Sequence, residues 1–233
     1  MIDLRSYGLE ESVGLHIILS NILWWLSLIL VFMAYKKRHI WNVGDSPWTF
    51  LFLAFVFFGL RELGHLSALP LIVSLRYGFG TLSAIFMTSA MFYLFMIICK
   101  RKNISRMMSL APFVLITILL IFWLYLYYFS NYSLKDFTSL TESIIWIIGS
   151  SIIIYTTYML GTSVVGDFIK VFMFFQFSAY FALTWKILGL IERMGSVMPY
   201  SIREIFETLF GVFAILSIYI LYQMLNKLAK KLS

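Results

Sequence analysis

Arg61, Glu62 and His65 lie in the segment Phe58-Gly-Leu-Arg-Glu-Leu-Gly-His65, inside an otherwise apolar stretch. At 100° per residue, Phe58, Arg61, Glu62 and His65 fall within one helical arc of about 100°. A charge at bilayer depth costs at least ~2.5 kcal/mol, so ionisable groups retained there mark a functional site by default. These residue types offer ligand or proton binding, coordination by imidazole and carboxylate, or an ion-pair lock between helices.

Composition defines the surroundings. The chain is 61% hydrophobic and 12% charged over 233 residues. Soluble domains run near 25% charged, so a water-soluble globule is excluded. Aromatic residues cluster near the ends of apolar runs, as in Trp123-Leu-Tyr125-Leu-Tyr127-Tyr128-Phe129, the pattern of a membrane-interface belt. A single cysteine, Cys99, rules out an internal disulfide and any multi-cysteine metal cluster.

A hydrocarbon core of ~30 Å needs about 20 apolar residues as helix. Seven such runs occur, at 13–35, 48–68, 77–99, 108–129, 141–162, 168–191 and 202–226. The expected fold is therefore an all-α, seven-transmembrane-helix bundle, a single integral membrane domain over 1–233. Ser46-Pro47 reads as the opening of the second span and Pro70 as its end. Thr138 or Thr141 with Glu142 caps the fifth. Gly80, Ala84 and Thr88 form a small-residue row on the third, suited to close helix packing.

Eleven lysines and arginines fall in loops on one side: Lys36, Lys37, Arg38, Lys100, Arg101, Lys102, Arg106, Lys170, Lys227, Lys230 and Lys231. Five fall on the other: Arg5, Arg76, Lys135, Arg193 and Arg203. The basic side is expected in the cytoplasm, with the N-terminus outside and the C-terminus inside. Glu10 and Glu11 stand where a cleavable signal needs basic residues, so the first span is expected to remain as an anchor. The net charge of +7 belongs to these headgroup-facing loops, which suit membrane lipids and a protein partner at the cytoplasmic face but not nucleic acid.

With that orientation, His16, the Arg61–Glu62–His65 group, Glu142, Lys186 and Glu207 share one layer near the outer ends of five helices. Ser20 joins His16 on the inward face of the first. Arg61, Glu62, His65, Glu142, Lys186, Glu207 and Ser20 are the expected ligand pocket. Expected pairings are Glu62 with Lys186, Glu142 with Arg61, and Arg203 with Glu207 at i,i+4. Lys186 has a stem long enough to snorkel outward, and Glu142, Glu192 and Glu204 sit at helix edges where solvation is the plainer expectation.

Three functions fit. The first is a receptor-like or sensor-like ligand-binding protein that acts through a partner. The second is a b-type haem or divalent metal site on His16, His65 and Glu62, serving electron transfer or a metal-dependent enzyme. The third is a small-solute transporter, which lacks support from repeated, broken helices; a structural subunit of a larger complex is the plainest alternative. The expected topology resembles that of seven-helix receptors and microbial rhodopsins. However, the segment from Thr208 to Gln223 holds no lysine for a retinal Schiff base, and the Asp-Arg-Tyr and Asn-Pro-x-x-Tyr signatures are missing. The Ile- and Lys-rich style and compact loops suit a prokaryotic chain. Asn131-Tyr-Ser133 is a glycosylation sequon on the expected outer side.

Overall fold

In hydrocarbon every backbone N–H and C=O must be satisfied within the chain, and long apolar runs without central breakers meet that demand as helices. The computed structural model describes residues 15–41, 43–67, 69–100, 106–129, 133–195 and 200–232, with the side chains of 15–19, 106–107, 200–201 and 232 outside the description. The described residues form seven α-helices and no strand: α1 (Leu15–Tyr35), α2 (Asp45–Leu63), α3 (Pro70–Ile98), α4 (Arg106–Phe129), α5 (Leu134–Ser163), α6 (Phe168–Arg193) and α7 (Tyr200–Leu232). Six of them, α2 to α7, are long and apolar enough to cross a membrane, and α1 contributes a shorter apolar helix over Ser20–Tyr35.

Local signals fix the helix ends, and several differ from expectation. Pro70 opens α3 at its first turn, where a missing N–H costs least, so it starts a helix as well as closing the segment before it. Arg76, expected in a loop, is thereby drawn two turns into α3 and buried. Gly44, at φ 79°, precedes α2 in place of the expected Ser46 cap. Ser133 caps α5 by accepting a hydrogen bond from the Asp136 amide, about two turns ahead of Thr141. Gly166, at φ 67°, makes the tight α5–α6 connection.

Six helices close into a ring in the order α1, α2, α3, α5, α6, α7 and back to α1, while α4 lies outside against α3 and α5. Serines tie neighbours together: Ser83 donates to the Ala54 carbonyl at 2.8 Å, Ser178 to Phe210 at 3.0 Å and Ser217 to Val171 at 2.8 Å. The small-residue row on α3 acts as expected, with Gly149 of α5 set against Thr88 and the Ala84 carbonyl.

The ring's centre is filled by aromatic side chains. Trp24 stacks on Phe58 at 3.9 Å, and Phe210 meets Phe58 and Trp146 edge-on, each at 5.2 Å. Trp185 stacks on Phe210 at 6.2 Å. Phe58, Trp146 and Phe210 each lie about one helical turn from Arg61, Glu142 and Glu207 respectively. The aromatic plug therefore floors the layer that carries the charges.

Candidate functional site

Four helices place the five charges of the layer. Arg61 and Glu62 come from the last turn of α2, Glu142 from α5, Lys186 from α6 and Glu207 from α7. Arg61 is the hub. Its Nε donates to Glu142 Oε1 at 2.8 Å, and its Nη1 donates to Glu207 Oε1 at 2.8 Å and also to Glu62. Lys186 Nζ completes the array at 2.8 Å from Glu142 Oε2, so both carboxylate oxygens of Glu142 are engaged by cations. All five side chains are at most 6% exposed.

Aromatic faces support the cations from below. The Arg61 guanidinium lies 4.7 Å from the Trp185 ring and 5.1 Å from Phe58, and Lys186 Nζ lies 3.7 Å from Trp185. A guanidinium is weakly hydrated and stacks well on aromatic faces, which suits Arg to the centre of such a network. Two cations and three carboxylates leave one negative charge in excess when all are ionised. Arg76 of α3 brings a further cation to the same cavity: its Nη1 lies 3.0 Å from His65 Nδ1, and its Nη2 donates to the Tyr77 hydroxyl at 2.7 Å.

That contact fixes the histidine tautomer. Arginine has no acceptor, so Nδ1 accepts and the neutral ring carries its proton on Nε2. Glu62 and Glu207 each have a carboxylate oxygen within 4.8 Å of a His65 ring nitrogen and of each other. The three form a mixed N/O cluster of the kind that suits a divalent metal.

The network walls a cavity of about 640 Å³, shared by Arg61, Arg76, Glu142, Lys186, Glu207 and His65 with residues at the helix ends. Its rim carries Lys135, Asp136, Arg193, Glu192 and Arg203. Arg203 Nη1 bridges α7 to α6 through Glu192 Oε2 at 2.7 Å, and its Nη2 pairs with Glu204 Oε1 at 3.2 Å. Arg193 donates to Ser139 of α5.

Most expected site residues converge here, with some changes of partner. Glu142 pairs with Arg61 as anticipated, but Lys186 goes to Glu142 and not to Glu62. Lys186 does not snorkel; at 5% exposure it is buried. Glu142 and Glu204 are buried, not solvated, at 1% and 8% exposure. Glu62 stands behind Arg61 and does not line the cavity, while Ser20 is buried in α1 and is not among the lining residues. The side chain of His16 lies outside the described residues, as do Asn131 and the side chains of Arg5, Arg101, Lys102 and Arg106. Arg76, Tyr77 and Trp185 join the site without having been anticipated. The signal for Arg76 was Pro70 six residues earlier, a helix opener that places position 76 inside a span. No family model, no curated protein and no solved structure matches this chain.

Proposed function

We propose that this chain is a seven-span protein of the cell membrane, N-terminus outside and C-terminus in the cytoplasm, that binds a ligand in an outward-facing polar cavity. It acts as a receptor-like or sensor-like protein and passes its signal to a partner at the basic cytoplasmic face. One observation carries this reading: charged side chains from four helices meet around a cavity of about 640 Å³ that is floored by aromatic rings. A ligand that exchanges even one contact of the Arg61 hub alters the pairing of α2, α5 and α7 together, which couples binding to helix arrangement. The aromatic floor argues against a transport path, because Trp24, Phe58, Trp146 and Phe210 fill the ring beneath the charges.

The test uses Ser143, which lines the cavity. Ser143→Cys in a Cys99→Ser background is expected to react with a membrane-impermeant thiol reagent added outside intact cells. Inorganic phosphate, sn-glycerol 3-phosphate or glutamate is expected to slow that reaction, and Arg61→Ala or Glu62→Gln to remove the protection while insertion persists. Labelling from the inside only, or no protection by any of the three compounds, overturns the reading.

A divalent cation held by Glu62, His65 and Glu207 is the second reading, favoured by their clustering. It requires His65 to ligate while Arg76 occupies Nδ1, so the metal must displace the Nε2 proton or Arg76 itself. Metal analysis of the purified protein, with His65→Ala as control, separates the two. The haem form of this reading needs His16 as a second axial ligand and predicts a Soret band lost in His16→Ala and His65→Ala.

A further inference from the structure

A second cavity, of about 740 Å³, lies between α3, α4 and α5. Its walls include Ile85, Phe92, Leu115, Ile148, Ile152 and Tyr155. The hydroxyls along it are turned to their own helices: Thr88 donates to the Ala84 carbonyl, Ser89 to Ile85, Ser151 to Ile147 and Thr156 to Ile152, all at 2.7–2.9 Å. A wall this poor in outward donors holds water poorly and suits hydrocarbon.

Among the described residues, the polar and aromatic contacts that hold α4 to the ring lie towards its two ends. Near one end the Tyr93 hydroxyl donates to the Met108 carbonyl, and Phe113 meets Phe86 at 5.6 Å and Phe50 at 5.9 Å. Towards the other, Trp123 donates to Thr141 Oγ1 at 3.3 Å and lies against Gly78 of α3. Between these anchors α4 stands off the ring: only 11% of its apolar window is buried, against 39–61% in the other five long helices.

The charged cavity and the groove follow each other along the same two helices, α3 and α5. On α5, Ser143 lines the first and Ile145 the second; on α3, Tyr77 lines the first and Ile85 the second. From Ile145 to Thr156 the groove follows α5 for about 16 Å at 1.5 Å per residue, close to half of a ~30 Å hydrocarbon core. At the mouth of the charged cavity, Lys135 and Arg193 have no carboxylate partner among the described residues, which favours an anionic head.

We propose that the ligand of this protein is an anionic lipid, its head held in the charged cavity by Lys135 and Arg193 and its hydrocarbon chain laid in the groove between α3, α4 and α5. This rests on the ligand-binding reading above.

The test follows dioleoylphosphatidylglycerol, dioleoylphosphatidylcholine and sn-glycerol 3-phosphate on the purified full-length chain, by native mass spectrometry and thermal unfolding. One phosphatidylglycerol is expected to survive detergent washing, bound about tenfold more tightly than phosphatidylcholine. Filling the groove by Ile152→Trp or Leu115→Trp is expected to weaken retention about tenfold, as is the pair Lys135→Gln and Arg193→Gln. Equal retention of the two lipids overturns the proposal, as does unchanged retention in a groove-filling variant that still folds. If both filling variants fail to fold, the rim pair decides by the same criterion. Stabilisation by sn-glycerol 3-phosphate without phosphatidylglycerol retention overturns the lipid and leaves the cavity reading standing, whereas unreactive Ser143→Cys defeats the cavity itself.

Discussion

Gly80 of α3 and Glu142 of α5 occupy a space that admits one carboxylate and no further carbon. A methyl group on Gly80 would stand 2.7 Å from the Glu142 carboxyl carbon and 3.0 Å from its Cγ. Glycine at this position lets α3 approach closely enough for the carboxylate to lie between the helices and reach both Arg61 and Lys186. The small-residue row on α3 thus makes room for the charged layer as well as packing two helices.

Gly80→Ala is therefore expected to displace Glu142 and loosen both of its ion pairs. Overpacking of this kind costs about 1–3 kcal/mol. Gly161→Ala, on the same α5 but with nothing within 4 Å of its added carbon, is the matched control and is expected to be tolerated. Thermal unfolding of the two variants in one detergent measures the difference. Equal melting temperatures would show that Glu142 moves without loss.

Arg61 is expected to be the least replaceable residue in the protein. Arg61→Met leaves Glu62, Glu142 and Glu207 buried with Lys186 as the remaining cation of the network. Breaking a buried pair in this way costs about 3–5 kcal/mol, because uncompensated charge stays behind. Arg61→Met combined with Glu207→Gln removes one of those charges and is expected to recover part of the loss. A double-mutant cycle checks this: coupling of about 0.5–3 kcal/mol is expected, and additivity within experimental error contradicts the Arg61–Glu207 contact.

Membership of this layer was legible in the sequence because ionisable residues inside apolar runs are costly and therefore conspicuous. Arg61, Glu62, His65, Lys186 and Glu207 carried that signal, whereas Glu142, at the edge of its run, joined them only by sharing their depth. Their pairing did not. Helical angles allow Glu62–Lys186 as readily as Arg61–Glu142, and the choice is made by the α3–α5 approach at Gly80, a tertiary distance. Arg76 was misplaced for a local reason, since Pro70 both closes one segment and opens the next. The peripheral position of α4 did leave a trace: its window has the highest mean hydropathy of the six long helices, 2.4, as a helix facing lipid nearly all round must.

The neutral His65 ring is expected to hold its proton on Nε2, because Arg76 donates to Nδ1 and cannot accept. Nitrogen-15 NMR of imidazole-labelled protein distinguishes the tautomers directly. Arg76→Met removes that constraint and is expected to let the Nδ1-protonated form appear. A dominant Nδ1–H signal in the unmodified protein would contradict the Arg76 contact.

Topology carries the functional reading, and its charges make a directional prediction. The Lys36–Arg38 turn pairs with its surroundings at the α1–α2 end: Lys37 donates to Asn226 of α7, and Arg38 Nε donates to Asp45 Oδ1 at 2.8 Å. That hydrogen bond with Asp45 raises the affinity of the Arg38 guanidinium for its proton above its ordinary value. At the same end Asp167 accepts from Lys170 at 3.2 Å, with Lys227 at 3.7 Å, and its carboxyl is held below the usual carboxylate range chiefly by the Lys170 hydrogen bond. Lysine and arginine retained in short loops set orientation, so this end is expected in the cytoplasm. A green fluorescent protein fused after Ser233 is expected to fluoresce, and alkaline phosphatase fused there to be inactive. Alkaline phosphatase inserted between α4 and α5, after Ser130, is expected to be active. Replacing Lys36, Lys37 and Arg38 by Gln weakens the retention signal next to α1 and is expected to lower the fluorescent fraction at the C-terminus. An active phosphatase after Ser233 in the unaltered chain would invert the topology and turn the charged cavity towards the cytoplasm.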